Sequence, residues 1–389
     1  MSPNAPETNN IVLDSDIITK YKAAAQVAND ALAKTLKEIV PGATILDLCV
    51  FGDKAIEEGL STQYRKAKVP KGISFPTTVS VNNIACHVSP LATDPIAAEK
   101  IQDGDLVKVQ IGAHVDGYAA FAGQTIVVGS GESNPVTGRK ADAIHAAFYA
   151  AETVIRMLKP GTPSLSITDA VQKVVESFGC KPLQNMLSYQ QKQNDIEAEG
   201  TIIFNPGTDL RSEFNKYVIA ENHVYMIDIF VTTGSGKTVK SDTRTTVFKK
   251  KEGKPQLRMK TSAALYSEVK SKFGSYPFTT RAIDDQQKAR GGVVECVKSG
   301  ILEPFDVYED KSGEYVAQVT FTALVTQKGP ERITTGSALN LDVVKSEHSI
   351  KDKEILKLLA TSTNPKKPKN KKNKKNSSGT GQAPPTESK

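Results

Sequence analysis

Gln110 and Phe121 stand on what reads as one strand pair, at positions where facing strands could aim two carboxylates into a shared pocket. Such paired anionic oxygens are what acid–base or metal chemistry would require. Neither residue is a carboxylate. Overlaying Leu106–Gln110 on Val224–Asp228 puts Gln110 and Asp228 at the same place, which suggests two related halves. On spacing alone, the match could equally reflect the likeness of any two buried strands. His87 follows a strand pattern and the tight Asn82-Asn83 step, where a side chain can face a pocket, although lone histidines are more often structural. Gly234-Ser235-Gly236-Lys237-Thr238 resembles a phosphate-binding loop, but the glycine expected five residues before Gly236 is Val231 and no helix pattern follows. It reads as a hairpin turn. No Ser/His/Asp or Cys/His grouping emerges from spacing.

The elements that must position these residues start with the stretch from Asp105 to Val128. Leu106 to Gly112 and Tyr118 to Val128 are rich in β-branched and aromatic residues, and Asp116-Gly117 is the step a tight hairpin prefers. A second strand with a glycine-rich turn, read as another hairpin, runs from Asn222 to Lys237. Apolar spacing predicts helices over 15–40, stopped by Pro41-Gly42, then over 44–58, 139–158, and 166–178 with Ser166 as cap. Ile73 to Val81 and Tyr315 to Val325 read as strands. Helices are also expected over 261–273, 284–298 and 349–359.

A chain of 389 residues allows two or three domains, or one large core with a tail. Hydrophobic residues at 39% and charged residues at 24% place it among globular proteins. No apolar run reaches the roughly 20 residues needed to span a bilayer, and Met1 to Asn10 lacks a signal pattern, so the expectation is an intracellular protein without membrane insertion. Cys49, Cys86, Cys180 and Cys296 are scattered, as buried reduced thiols would be. The net charge of +7 lies wholly in the last thirty residues, which hold eight lysines and one acid against 42 basic and 42 acidic groups elsewhere.

The segments SVNNIACH, GDLVKVQIGAHVDGY, NMLSYQQKQ, VYMIDIF and VAQVTFT, in that order, resemble the methionine aminopeptidase superfamily, and the helical insertion resembles its type II branch. MLSYQQKQ, MKTSAALYSEVKSKF, PFTTRAIDDQQKAR and the polylysine tail resemble the proliferation-associated, ErbB-receptor-binding and curved-DNA-binding protein family, over about residues 12 to 375. The resemblance implies an α+β pita-bread fold of two pseudo-symmetric halves. Its expected boundaries are a flexible N-terminus at 1–13, the domain at 14–363 with an insertion at about 243–298, and a disordered lysine-rich tail at 364–389.

Active relatives hold two divalent metals, and the resemblance places their five ligand positions on Gln110, Phe121, Tyr189, Asp228 and Thr320. Of these only Asp228 is a carboxylate. His87 matches a histidine that contacts substrate, while Glu197 falls where a second would be. Four positive charges need anionic oxygens and imidazole to offset them. The expectation is therefore a pseudo-enzyme with no cofactor and no metal, in which Phe121 and Tyr189 fill the former metal cavity.

Two basic features remain. Lys366, Lys367, Lys369, Lys371, Lys372, Lys374 and Lys375 put seven charges in ten residues. Seven phosphate contacts to single-stranded RNA would give a salt slope of roughly −5, about a thousandfold in affinity between 50 and 200 mM. The same tail equally fits a nuclear or nucleolar address. Lys249, Lys250, Lys251, Lys254, Arg258 and Lys260 rim the insertion, as a solvated loop or as a surface of fixed shape for an RNA helix. Family resemblance implies the large ribosomal subunit, ribosomal RNA and structured RNA as partners, in cytoplasm, nucleus and nucleolus. The alternatives are a regulator that binds curved DNA and a residual peptidase around Asp228 and His87.

Overall fold

The computed structural model describes residues 13–207, 211, 217–253, 256–335 and 340–363. Residues 1–12, Lys254 and the seven clustered tail lysines lie outside the described residues. Helix α1, Ser15–Lys37, starts where the Asp14 carboxylate accepts the Ile17 amide at 2.8 Å. It buries Tyr21, Ala24, Val27, Ala28, Ala31 and Leu32 along one stripe. Helix α2, Ile45–Thr62, is capped by Thr44 and runs one turn past the expected end. Strands β1, Lys71–Val81, and β2, Ile84–Cys86, lead to the hairpin of β3, Leu106–Val115, and β4, Tyr118–Val127. Asp116 and Gly117 both have positive φ, 53° and 80°, the backbone of a two-residue turn whose twist matches its strands.

Helix α3, Gly138–Met157, precedes α4, Ser164–Glu176. Ser166 is not the cap of α4: Pro163 is, because its fixed φ of −66° pre-sets the entry, and Ser166 already lies inside the first turn. Strands β5, Leu187–Gln191, and β6, Thr201–Ile203, precede β7, His223–Thr232. The expected second hairpin does not form. β7 continues into a turn, and the next strand, Val239–Lys240, joins Tyr308–Glu309 in a separate small sheet. Asp310 stands against Gly234, so an acid occupies the surroundings of the glycine-rich turn.

Strand β8, Val247–Lys250, lies between β9, Phe278–Thr279, and β10, Leu302–Phe305, and carries helices α5, Lys260–Lys272, and α6, Gln286–Lys298. Phe248, Leu265, Val269, Phe278, Ala289 and Cys296 pack among these elements as a separate small core. Strand β11, Val316–Thr326, and β12, Gly329–Arg332, complete the main sheet. Helix α7 is shorter than expected, Lys353–Leu359, because Asp352 caps it.

The central sheet is nine-stranded among the described residues, and its main path runs β1-β3-β4-β11-β7-β5-β6. Its registers place Gln110 beside Gly123, Gly123 beside Thr320, and Thr320 beside Asp228. This row is symmetric about the β4–β11 seam: exchanging the halves maps Gln110 onto Asp228 and Gly123 onto Thr320. Each half puts two helices on the same side, α1 and α2 over Val107, Val109 and Ile111, α3 and α4 over Ile227, Ile229 and Phe321. By strand alternation Gln110, Thr320 and Asp228 face the other side, where the insertion layer covers them through Val247, Tyr276 and Phe305. The Tyr276 hydroxyl donates to the Gly117 carbonyl at 2.7 Å and Arg281 meets Asp53 at 2.5 Å, tying this layer to the first half. All four cysteines are free and buried. No helix among the described residues is long and apolar enough to cross a membrane.

Strands β1 and β3 approach closely at Gly112, where an added Cβ would stand 2.6 Å from the Ser74 hydroxyl and 2.9 Å from the Phe75 backbone nitrogen. Gly112→Ala is expected to cost about 1–3 kcal/mol in urea unfolding. A change within experimental error would mean that β1 and β3 are not packed this closely.

Candidate functional site

Asp228 occupies the centre of the inner face, on the middle of β7. Its Oδ1 accepts hydrogen bonds from the Thr320 hydroxyl at 2.6 Å and the Gln318 amide at 2.8 Å, and Oδ2 accepts from the Gln110 amide at 3.4 Å. Gln318 also reaches Gln110 Oε1 at 3.2 Å, and its own backbone is held by Thr125. All four side chains are buried. Burial pushes the Asp228 carboxyl up to about 6, although each of these neutral donors pulls the other way.

The structure brings most of the expected residues together around a cavity of about 160 Å³, lined by His87, Gln110, Tyr189, Glu197 and Asp228, with Phe75, Met226 and Phe305 as apolar wall. His87 sits at φ 69° just past β2, and its Nδ1 lies 2.8 Å from the Asp306 carbonyl. A carbonyl can only accept, so Nδ1 carries the proton and Nε2 is left as an acceptor. Burial lowers the pKa of His87 and favours this neutral form. Tyr189 stands on β5 across from Met226, and burial pushes its hydroxyl up to about 12. Phe121 does not line the cavity. It is fully buried behind it, among Phe75, Ile196, Met226 and Tyr276, where a carboxylate would be without a partner.

Two residues in this region escaped the sequence reading. Gln318 lies two positions before Thr320 and so on the same face of β11, and the strand period alone could have found it. Lys108, two positions before Gln110, is buried, donates to the Asn82 carbonyl at 2.9 Å and is pushed down to about 7 by burial. A lysine inside the apolar run of β3 was its signal.

The basic rim needs correction. Lys249 is not a free cation of the insertion surface: its ammonium pairs with Glu197 at the cavity wall, and its side chain is only 16% exposed. The strand period turns it inward, and Glu197 balances its charge. Lys251 lies 3.7 Å from Glu303. Lys250, Arg258 and Lys260 form no ion pair with another described residue, and Arg258 and Lys260 are exposed at the start of α5.

These residues do not fit a two-metal centre. Glu197 is already paired with Lys249, and the one remaining carboxylate, two carboxamides, a hydroxyl and a protonated phenol cannot balance four positive charges, while both Asp228 oxygens already accept hydrogen bonds. No group of three His, Cys, Asp or Glu side chains among the described residues is placed to hold an ion.

A carboxyl with a folded-state pKa of about 6 against an ordinary 3.8 takes up a proton on folding between those values. Its contribution to stability is full below the lower value and is lost as pH rises through the higher one. From pH 4.5 to 7.5 Asp228 should cost the fold about 2 kcal/mol. Asp228→Asn should remove that slope in urea unfolding. Identical pH dependence in the two proteins would show that Asp228 is ionised throughout.

Residues 19–190 match the model of metallopeptidase family M24. The chain is 40% identical to the curved DNA-binding protein of Schizosaccharomyces pombe over 347 residues, covering 89% of this chain and 90% of that one. It is also 40% identical to ERBB-3 binding protein 1 of Arabidopsis thaliana, covering 90% and 88%. Among solved structures, a thermophilic Arx1 superimposes with a TM-score of 0.85 at 34% identity, over 90% of this chain and 99% of that one. The fold is therefore the pita-bread fold of the aminopeptidase-like proteins, and the chain belongs to the family of the curved DNA-binding and ERBB-3-binding proteins.

Proposed function

We propose that this protein is a catalytically inactive aminopeptidase-like protein that binds RNA and ribosomes, acts in ribosome biogenesis or translation, and is distributed between cytoplasm and nucleolus. The observation that carries the reading is the content of the Asp228 centre: a single carboxylate answered by three neutral donors, where two metals would need several anions. With chemistry removed from the cavity, function falls to surfaces. Lys250, Arg258 and Lys260 stand on the folded insertion layer, so they can meet a phosphate surface of defined shape, while the lysines from 366 to 375 add attraction that any polyanion satisfies. The relative named for binding curved DNA favours a second reading, in which the same cations follow a bent duplex and select it by deformability.

Purified protein supplied with cobalt or manganese should release no methionine from a methionyl peptide. Turnover near 1 per second or faster, an ordinary enzymatic rate, would overturn the inactive reading. Reversing Lys250, Arg258 and Lys260 to glutamate should weaken co-sedimentation with large ribosomal subunits and make the salt dependence shallower by about 3, with the tail intact. Unchanged affinity would remove the insertion layer from the binding surface. A chain ending at Thr363 that still binds at physiological salt would place recognition on the folded body. A preference for curved over straight DNA that exceeds the preference for RNA would favour the second reading.

A further inference from the structure

Strand β4 serves both faces of the sheet. Gly123 and Thr125 face the Asp228 centre, so Gln124 and Ile126 face the helix layer. There they border a cavity of about 270 Å³. It lies on the seam between the halves: Leu36 and Ile126 pack with the first-half core, and Val136, Ile144 and Val344 with the second. Helix α1 packs on β3 and β4, and α3 on β7 and β11. Each follows its own half of a twisted sheet, and the space between them is bordered by Asn340, Val343 and Val344.

Burial orders the lining from floor to mouth. Val136, Ile144 and Val344 are buried, Leu36, Ile126 and Val343 half-buried, and Lys37 and Asn340 exposed. The polar groups nearest solvent are donors. Lys37 belongs to the last turn of α1, and its ammonium has no partner among the described residues. Gln124 buries its Oε1 without a partner, so its amide nitrogen is the edge that reaches solvent. Asn340 Oδ1 accepts the Asp342 amide at 3.0 Å, which leaves its own amide nitrogen. The Ser130 hydroxyl donates to the Val127 carbonyl at 2.7 Å and can only accept. Among the described residues no carboxylate lines the space, although Glu38 and Asp342 adjoin lining residues in sequence. An aliphatic floor under one unanswered ammonium and two carboxamide donors is the complement of an aliphatic carboxylate. A peptide would bring N–H groups to a site whose one free acceptor is the Ser130 oxygen. At about 30 Å³ for a water, and about the same for a methylene, the space takes a chain of about eight carbons.

We propose that this seam cavity binds a free medium-chain fatty acid. The chain lies against Leu36, Ile126, Ile144 and Val344, and the carboxylate meets Lys37 and the Gln124 amide nitrogen. The site is on the opposite face of the sheet from the Asp228 cavity and does not depend on the polyanion-binding reading.

The test titrates the full-length protein with sodium octanoate and follows its isoleucine δ1-methyl resonances. Saturable shifts are expected at Ile126 and Ile144, while Ile196, beside the Asp228 cavity, stays unmoved. Across butanoate, hexanoate and octanoate, affinity should rise about fourfold per methylene and level off by dodecanoate, when the floor is full. Lys37→Glu should weaken octanoate about fivefold and change 1-octanol by less than about twofold, because only the acid meets the ammonium. Ala33→Trp, which fills the space from a half-exposed helix position, should abolish binding of both. If either variant fails to fold, the chain-length series and the methyl shifts of the natural protein decide. Affinity that is flat with chain length, or that keeps rising through dodecanoate, overturns the proposal. So do Ile126 and Ile144 methyls that never move, shifts that reach Ile196, or equal loss of octanoate and octanol in Lys37→Glu.

Discussion

Asp228 sits in the middle of a sheet covered on both faces, and no lysine or arginine among the described residues pairs with it. That constraint organises the centre. A buried carboxylate must either be neutralised or be answered by donors, and here the donors are Gln110, Gln318 and Thr320, all brought to it by strand register. The pseudo-symmetric row from Gln110 through Gly123 and Thr320 to Asp228 would carry opposed acids if both halves kept them. With a carboxamide on one side and a carboxylate on the other, the pair forms a hydrogen bond in place of a repulsion. Phe121 adds apolar volume behind the cavity.

Much of this architecture could be read before the structure, for identifiable physical reasons. The β3–β4 hairpin declared itself through Asp116-Gly117, because few residues tolerate positive φ at two successive positions. Helix α1 declared itself through the spacing of its buried stripe. The equivalence of Gln110 and Asp228 survived into the fold because β3 and β7 hold matching places in the two halves. What failed were relations between distant segments. β7 pairs with β11 about ninety residues later, and nothing in its own sequence names that partner. Residue resemblance supplied the topology that local pattern could not.

The site was legible in the same uneven way. His87, Gln110, Tyr189 and Asp228 meet around one cavity as expected. Phe121 did not join them at the cavity surface, since a residue type does not say how far back a side chain packs. Gln318 and Lys108 were overlooked because both faces of these strands are buried, so polar residues on the inner face do not stand out as a solvated stripe. Lys249 misled for the opposite reason. Three consecutive lysines look like one basic patch in sequence, but on a strand successive side chains point to opposite faces, and here Lys249 turned inward to Glu197.

That inward turn links the cavity to the surface. Glu197 lines the space beside Asp228 and Lys249 belongs to β8, which turns the half-buried Lys250 to its opposite face. Removing Lys249 would therefore leave a carboxylate facing an already acidic, poorly solvated cavity, whereas removing Lys250 would change only the outer field. The two lysines are neighbours in sequence and opposites in consequence: one balances the charge of Glu197 at the cavity wall, and the other lies on the opposite face of its strand.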